Sequence, residues 1–358
     1  MTVVSRRLRA LACFLVRFPV PSRTLQGSRP GPGRPVVGFT AVAAAAVVLA
    51  GCGGMPTTGS MRGINGPIVY TKVGEGEPTV VLQSGLGDGR EPWAAVMQQL
   101  RERHSVFAYD RPGYGDSTGF TPVPRNPCGI ATELHELLKS AGVKPPYLLV
   151  GHSIGGLYQY AYARQYPDEV AGIVLVDATH PLHLRRMQVE VPVMASMLEN
   201  MSKRVFSGMM QTEFNMQTEC VDALLQKPRP DVPVRVLTRT VYSPVEQASG
   251  FEAMVHALEP NWLPLVGGRE IEPVTGAGHY IQRDKPGRVV QAVDAVADEI
   301  KIRAAARVAA ASAASGAAST PAAAVAPTRT TGVAPATPTA TGSVSAAAAA
   351  SAASAPTR

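Results

Sequence analysis

The chain has 358 residues and a formal net charge of +7, but seven arginines (Arg6, Arg7, Arg9, Arg17, Arg23, Arg29, Arg34) and no acid lie in the first 51 residues. Removing those seven from 34 Lys and Arg leaves 27 against 27 Asp and Glu, so the excess charge belongs to the leader and argues for no nucleic-acid surface. From Lys301 on there is no acid and no aromatic residue; about 240 residues remain for a core, one α/β domain in size, which excludes a coiled coil, a disulfide-dense miniprotein and a polytopic membrane protein.

Val36 to Ala50 is an apolar run preceded by Arg29 and Arg34. It is too short and too rich in alanine for a membrane span, and it reads as the apolar part of a signal peptide, residues 1–51. The run closes on Leu49-Ala50-Gly51-Cys52. This resembles the lipobox of bacterial lipoproteins. The resemblance implies that the Cys52 sulfur carries a lipid and that the mature chain begins there. It also implies export and a lipid anchor in a bacterial membrane, the outer one in a Gram-negative cell, since Gly53 and not aspartate follows. A plain signal peptide with a chance cysteine is the alternative. Residues 52–66 read as a linker to a domain spanning 67–303.

Within that domain, Ile68 to Val73 and Thr79 to Gln83 are predicted strands, the second entering Ser84-Gly85-Leu86-Gly87. A helix is predicted over Trp93 to Arg103, then a strand over Val106 to Tyr109 and the loop Asp110 to Ser117. The helix over Ile130 to Ala141 puts Ile130, Leu134, Leu137 and Leu138 on one face. The strand Tyr147 to Val150 runs into Gly151-His152-Ser153-Ile154-Gly155, followed by a helix to about Tyr166. Further strands are predicted at Ile173 to Val176, Val234 to Thr238 and Ile271 to Val274, and a last helix at Pro286 to Ile300. Short apolar strands alternating with helices mean a mostly parallel sheet covered on both faces.

His180 to Pro233 interrupts the alternation. A structureless loop of that length would be improbable, so an inserted helical cap is expected at about 180–233. It holds seven of the 12 methionines (Met187, Met194, Met197, Met201, Met209, Met210, Met216), which suits an adaptable apolar pocket or ordinary helix packing. The tail, 304–358, is Ala/Pro/Thr/Ser-rich and is expected to be disordered. Cys128 and Cys220 form either one disulfide or two buried thiols.

Gly151-x-Ser153-x-Gly155 has the spacing of a nucleophile elbow, and it stands between an apolar strand and a helix as that turn requires. Ser153 is therefore the candidate nucleophile. His279, in Gly276-Ala277-Gly278-His279 after the last strand, is the candidate base. His104 and His135 read as solvated helix positions. The acid that orients the imidazole is Asp177, at the end of Ile173 to Val176, or Glu246. Leu86 and Ile154 are the candidate oxyanion donors through their backbone N–H groups. No metal-ligand spacing and no phosphate-binding glycine motif is present, so neither metal nor cofactor is expected.

Ser84 to Gly87, Asp110-Arg111-Pro112-Gly113-Tyr114-Gly115, Gly151 to Gly156, Asp177 and Gly278-His279 together resemble the α/β-hydrolase superfamily over about residues 68 to 300. The resemblance implies the α/β-hydrolase fold, a Ser-His-Asp triad and structural roles for Asp110 and the Gly-Tyr-Gly loop. It does not imply a substrate. The oxyanion loop usually begins His-Gly and here begins Ser-Gly, so its anchoring differs. The expected protein is an exported, lipid-anchored serine hydrolase, a carboxylesterase of apolar acyl esters, with no nucleic-acid partner. Lactone, amide or C–C hydrolysis, perhydrolysis, and noncatalytic binding on the same scaffold are the alternatives.

Overall fold

The computed structural model describes residues 59–63, 66–118 and 124–318. The leader, Cys52 and the tail beyond residue 318 lie outside the described residues.

The described strands are β1 (Gly59–Gly63), β2 (Gly66–Val73), β3 (Thr79–Gln83), β4 (Val106–Asp110), β5 (Tyr147–His152), β6 (Val170–Val176), β7 (Val234–Arg239) and β8 (Ile271–Val274). They form one sheet in the order β1-β2-β4-β3-β5-β6-β7-β8. β1 and β2 pair antiparallel, as do β2 and β4. From β4 across to β8 every pairing is parallel. This is the α/β-hydrolase fold.

The central strands are apolar on both faces because both are covered: every residue of β3, β4 and β5 is buried. On one face, Val81, Leu149 and Leu175 pack under α2 (Pro127–Ser140) and α3 (Ile154–Gln165). On the other, Val80, Leu82, Val150 and Val176 meet Val96 and Leu100 of α1 (Ala94–Leu100) and Val289, Val293 and Val296 of the last helix. Each such side chain removed fully from water contributes about 1.5–3 kcal/mol. The expected α2 stripe of Ile130, Leu134, Leu137 and Leu138 is wholly buried. The helix begins where Asn126 accepts a hydrogen bond from Gly129 N–H and Pro127 fills the first turn.

The segment expected to form a cap is helical. It comprises α4 (His183–Glu190), α5 (Pro192–Val205), α6 (Gly208–Met216) and α7 (Val221–Leu225). A second insertion between β7 and β8 adds α8 (Pro244–Ala248), α9 (Phe251–Leu258) and α10 (Trp262–Val266). Met187 and Val191 of the cap pack against Met254 of α9, so the two insertions share one small core. After β8 come α11 (Ile281–Asp284) and α12 (Pro286–Ala318). The last helix thus runs past Ile300 into the segment expected to lack structure, because alanine is the strongest helix former. Residues 304–313 of it are exposed. His104, expected on a solvated face, is buried beside Asp294, its Nε2 at 2.8 Å from that carboxylate. Cys128 and Cys220 form a disulfide joining the start of α2 to the residue before α7.

Candidate active site

The turn after β5 carries the strain that an exposed serine needs. Ser153 has φ +54° and ψ −130°, a conformation rare for a residue with a side chain. Backbone bonds hold it: Ser153 N–H donates to Val176 O at 3.2 Å, and its own carbonyl accepts from Gly156 N–H and Thr179 N–H, each at 2.9 Å. The two elbow glycines are steric requirements. A Cβ on Gly151 would sit 2.6 Å from Gly155 O, and one on Gly155 would sit 2.5 Å from Gln83 O.

Three candidates distant in the chain come together at this turn. His279 Nε2 lies 3.1 Å from Ser153 Oγ, and His279 Nδ1 lies 2.5 Å from Asp177 Oδ2. A carboxylate can only accept, so Nδ1 carries the proton and Nε2 is free to accept from the serine hydroxyl. Asp177 is reached because β6 ends beside β7: its N–H donates to Leu237 O at 2.8 Å, and its φ is +42°. Burial pushes the Asp177 carboxyl up, but the hydrogen bond and charge of His279, together with Arg239, outweigh it and hold the group below the usual carboxylate range.

Glu246, the alternative acid, is elsewhere. It accepts from Ser243 N–H at 2.7 Å in a capping box at the start of α8, and it pairs with Arg239 Nη1 at 2.9 Å. Arg239 is a participant that the sequence did not point to. Its Nε lies 3.4 Å from Asp177 Oδ2, and its guanidinium lies 4.1 Å from the centre of the Tyr242 ring.

His152, the variable residue of the elbow, faces away from the cavity-side of Ser153. Its Nε2 lies 2.8 Å from the His279 carbonyl oxygen, so Nε2 is the protonated nitrogen. Burial, then the charge of His279, pushes its imidazole down to about 3. His152 thus stays neutral and ties the elbow to the backbone of the His279 loop.

A cavity of about 320 Å³ opens onto Ser153 and His279. Leu86 and Ile154, the expected oxyanion donors, both line it. Its apolar wall owes little to the cap methionines, for which the sequence leaves open an adaptable pocket or ordinary helix packing. Of the seven cap methionines only Met187 faces it; Leu198, Phe214, Phe251 and Val255 supply the rest. Met197 and Met201 are exposed on the outer side of the cap.

The oxyanion loop is anchored without the histidine usual at its start. Trp93 Nε1 donates to Ser84 Oγ at 2.9 Å, and Arg111 donates from Nη1 to Ser84 O at 2.7 Å and from Nη2 to Gly85 O at 2.8 Å. Asp110 is structural, as the resemblance implied: it accepts from Arg90 N–H at 2.6 Å and Asp116 N–H at 2.8 Å. Among the described residues no group of three His, Cys, Asp or Glu side chains is placed to hold a metal ion.

Residues 78–229 match the family model described as alpha/beta hydrolase fold. YqjL of Bacillus subtilis, an uncharacterized protein, is 33% identical over 126 residues, covering 31% of this chain and 49% of that one. A Klebsiella pneumoniae protein bearing the name "Putative carbamate hydrolase RutD" is 35% identical over 113 residues, covering 31% of this chain and 42% of that one. The matched stretch thus spans about half or less of the length of these relatives. A solved structure of a membrane phospholipase A, described as a bacterial virulence factor, superposes with a TM-score of 0.50 at 21% identity, over 68% of this chain and 86% of that one. These likenesses, on a sheet of this order, agree with the α/β-hydrolase fold, the family model matching residues 78–229 of it.

Proposed function

We propose that the chain is an exported, lipid-anchored serine hydrolase, a carboxylesterase acting on apolar acyl esters. The observation that carries this reading is the relay from Ser153 Oγ to His279 Nε2 at 3.1 Å and from His279 Nδ1 to Asp177 at 2.5 Å, facing an apolar cavity.

In this reading Ser153 Oγ attacks the ester carbonyl carbon while its proton passes to His279 Nε2. The carbonyl oxygen, now negative, accepts from the N–H groups of Leu86 and Ile154; each such donor is worth about 10²–10³ in rate. The carbon–oxygen bond to the leaving alcohol breaks, and His279 returns the proton to that oxygen. Water then attacks the acyl-serine, losing its proton to His279, and the acid leaves as Ser153 Oγ recovers a proton. Asp177 holds the imidazole tautomer throughout and balances its charge when protonated. The same machinery would cleave a carbamate, a reading favoured by the name of the Klebsiella relative.

Export is supported by the Cys128–Cys220 disulfide, a bond that persists in oxidising compartments. Anchoring at Cys52 rests on the lipobox resemblance. Among the described residues no helix is long and apolar enough to cross a membrane.

The test is hydrolysis of p-nitrophenyl esters from acetate to palmitate, with a p-nitrophenyl carbamate alongside. Turnover that disappears in Ser153→Ala supports the reading; turnover that survives in Ser153→Ala rejects it. Anchoring is tested separately: Cys52→Ala releases the protein from the membrane fraction if the lipid is attached there.

A further inference from the structure

We propose that Arg111 is a positioning residue for the oxyanion hole, aiming the peptide group between Gly85 and Leu86, and that Glu213 of the cap holds Arg111 in place. The inference rests on the serine-hydrolase reading, in which Leu86 N–H is one of the two donors.

A trans peptide is planar, and its C=O and N–H point in opposite directions. The carbonyl of Gly85 and the N–H of Leu86 belong to the same peptide. Fixing one therefore fixes the direction of the other. Arg111 Nη2 donates to that carbonyl at 2.8 Å, while Nη1 grips the preceding carbonyl, Ser84 O, at 2.7 Å. The planar, two-pronged guanidinium sets two successive peptides at once, which an ammonium on a flexible stem would do poorly. The positive charge beside Gly85 O also draws electron density from the amide, making Leu86 N–H a stronger donor. The Ser-Gly start of the loop lacks the usual histidine, and this contact takes over the anchoring.

Arg111 is 1% exposed, and a guanidinium this deep needs a partner. Glu213 of α6 supplies it, with Oε1 3.1 Å from Arg111 Nε and Oε2 3.0 Å from Nη2. Glu213 is in turn fixed by Tyr114 OH at 2.9 Å and Arg125 Nη2 at 2.8 Å, and Arg125 also donates to Glu133 at 2.9 Å. Two guanidiniums and two carboxylates thus form one neutral buried cluster. Burial pushes the Glu213 carboxyl up, but Arg111 and Arg125 outweigh it and hold the group below the usual carboxylate range. Phe214, the next residue of α6, lines the substrate cavity. One cap helix therefore supplies both a wall of the pocket and the strut behind the oxyanion loop.

The test uses full-length protein, with intact sites counted by complete reaction with a fluorophosphonate and turnover of p-nitrophenyl butyrate given per titrated site. Arg111→Lys keeps the buried charge; Arg111→Met with Glu213→Gln removes both charges together, so no carboxylate is stranded by loss of Arg111. The double variant is expected to lose about 10–100-fold in kcat per titrated site with KM within about threefold, somewhat less than deleting an oxyanion donor. Arg111→Lys is expected to fall between it and the wild type. Fewer titratable sites and a lower Tm with unchanged kcat per site, in either variant, would mean a packing role only and would overturn the proposal. A wild type that takes up no probe at Ser153 would instead overturn the serine-hydrolase reading, and this inference with it.

Discussion

Asp177 and Glu246 meet the same cation: Arg239 Nε lies 3.4 Å from Asp177 Oδ2, and Arg239 Nη1 lies 2.9 Å from Glu246 Oε1. Only Asp177 reaches His279 as well. The guanidinium separates the two carboxylates that the sequence left as alternatives. It gives Glu246 a charge partner and leaves Asp177 facing the imidazole.

The first prediction follows. Asp177→Asn keeps the shape but presents an amide to His279 Nδ1, favouring the wrong tautomer. A fall in kcat of about 10⁴ is expected, as for the corresponding change in other triads. Glu246→Gln loses one side of a largely buried ion pair and a capping contact, and turnover is expected to fall less than tenfold. Steady-state kinetics of the two variants, side by side, decide the matter; the reverse ranking would assign the acid to Glu246.

The second concerns pH. His152 is buried with its imidazole pushed down to about 3, and His180 with its own pushed down to about 4, in both cases chiefly by desolvation. Each folds neutral and is free to protonate only when the chain unfolds. A group of this kind stabilises the fold above its unfolded value near 6.5, and that stability is lost as pH falls toward the folded value. His183, pushed down to about 4 by the same cause, makes a third such proton, so the unfolding free energy is expected to drop by up to about 4 kcal/mol per pH unit between about pH 6 and 4. Urea unfolding at stepped pH reads the slope, and His180→Gln should remove roughly a third of it. A flat profile over that window would contradict the assignment.

The third concerns the Cys128–Cys220 bond, which closes a sequence separation of 92 residues. Removing a crosslink over a loop of that size costs about 2–4 kcal/mol, chiefly by freeing the unfolded chain. The double change Cys128→Ser and Cys220→Ser is expected to lower the urea midpoint accordingly. Neither cysteine borders the cavity, so kcat per intact site is expected to stay within a few-fold. An unchanged midpoint would show that the bond contributes nothing to the stability of the cap attachment.

The fourth concerns chain-length preference. Phe251 lies on α9, outside the expected cap, yet it forms part of the cavity wall. Phe251→Ala is expected to move the acyl optimum toward longer chains. The gain for a longer ester relative to butyrate should be about tenfold or more, since each methylene in an apolar pocket is worth about 1–3 kcal/mol. An unchanged optimum would place the acyl chain against the Met187 and Phe214 side instead.

Much of the fold was legible because the signals are local. The strands Thr79–Gln83 and Ile271–Val274 have in the structure the boundaries that the sequence predicts. The α2 stripe follows from helical spacing alone. The strand β1 was not legible: Gly59-Ser-Met-Arg-Gly63 has no clear alternation, and it becomes a strand by pairing with the open edge of β2. The sequence puts His256 on a late helix, as found, but sets no bounds for the helices between β7 and β8, since Pro244, Pro260 and Pro264 break the segment into short turns without a sustained period.

The sequence by itself determined the turn that exposes Ser153 and singled out His279, because glycine spacing, an apolar strand and a following helix are constraints a chain writes within a few residues. Only the tertiary structure set Asp177, and not Glu246, beside His279, joined Cys128 to Cys220, tied Arg111 to the oxyanion loop and gave the cavity its phenylalanine wall. Those contacts join residues from 26 to 102 positions apart. They arise where buried charges and polar groups must find partners once the sheet has closed over them, and no local pattern records which partner packing will deliver.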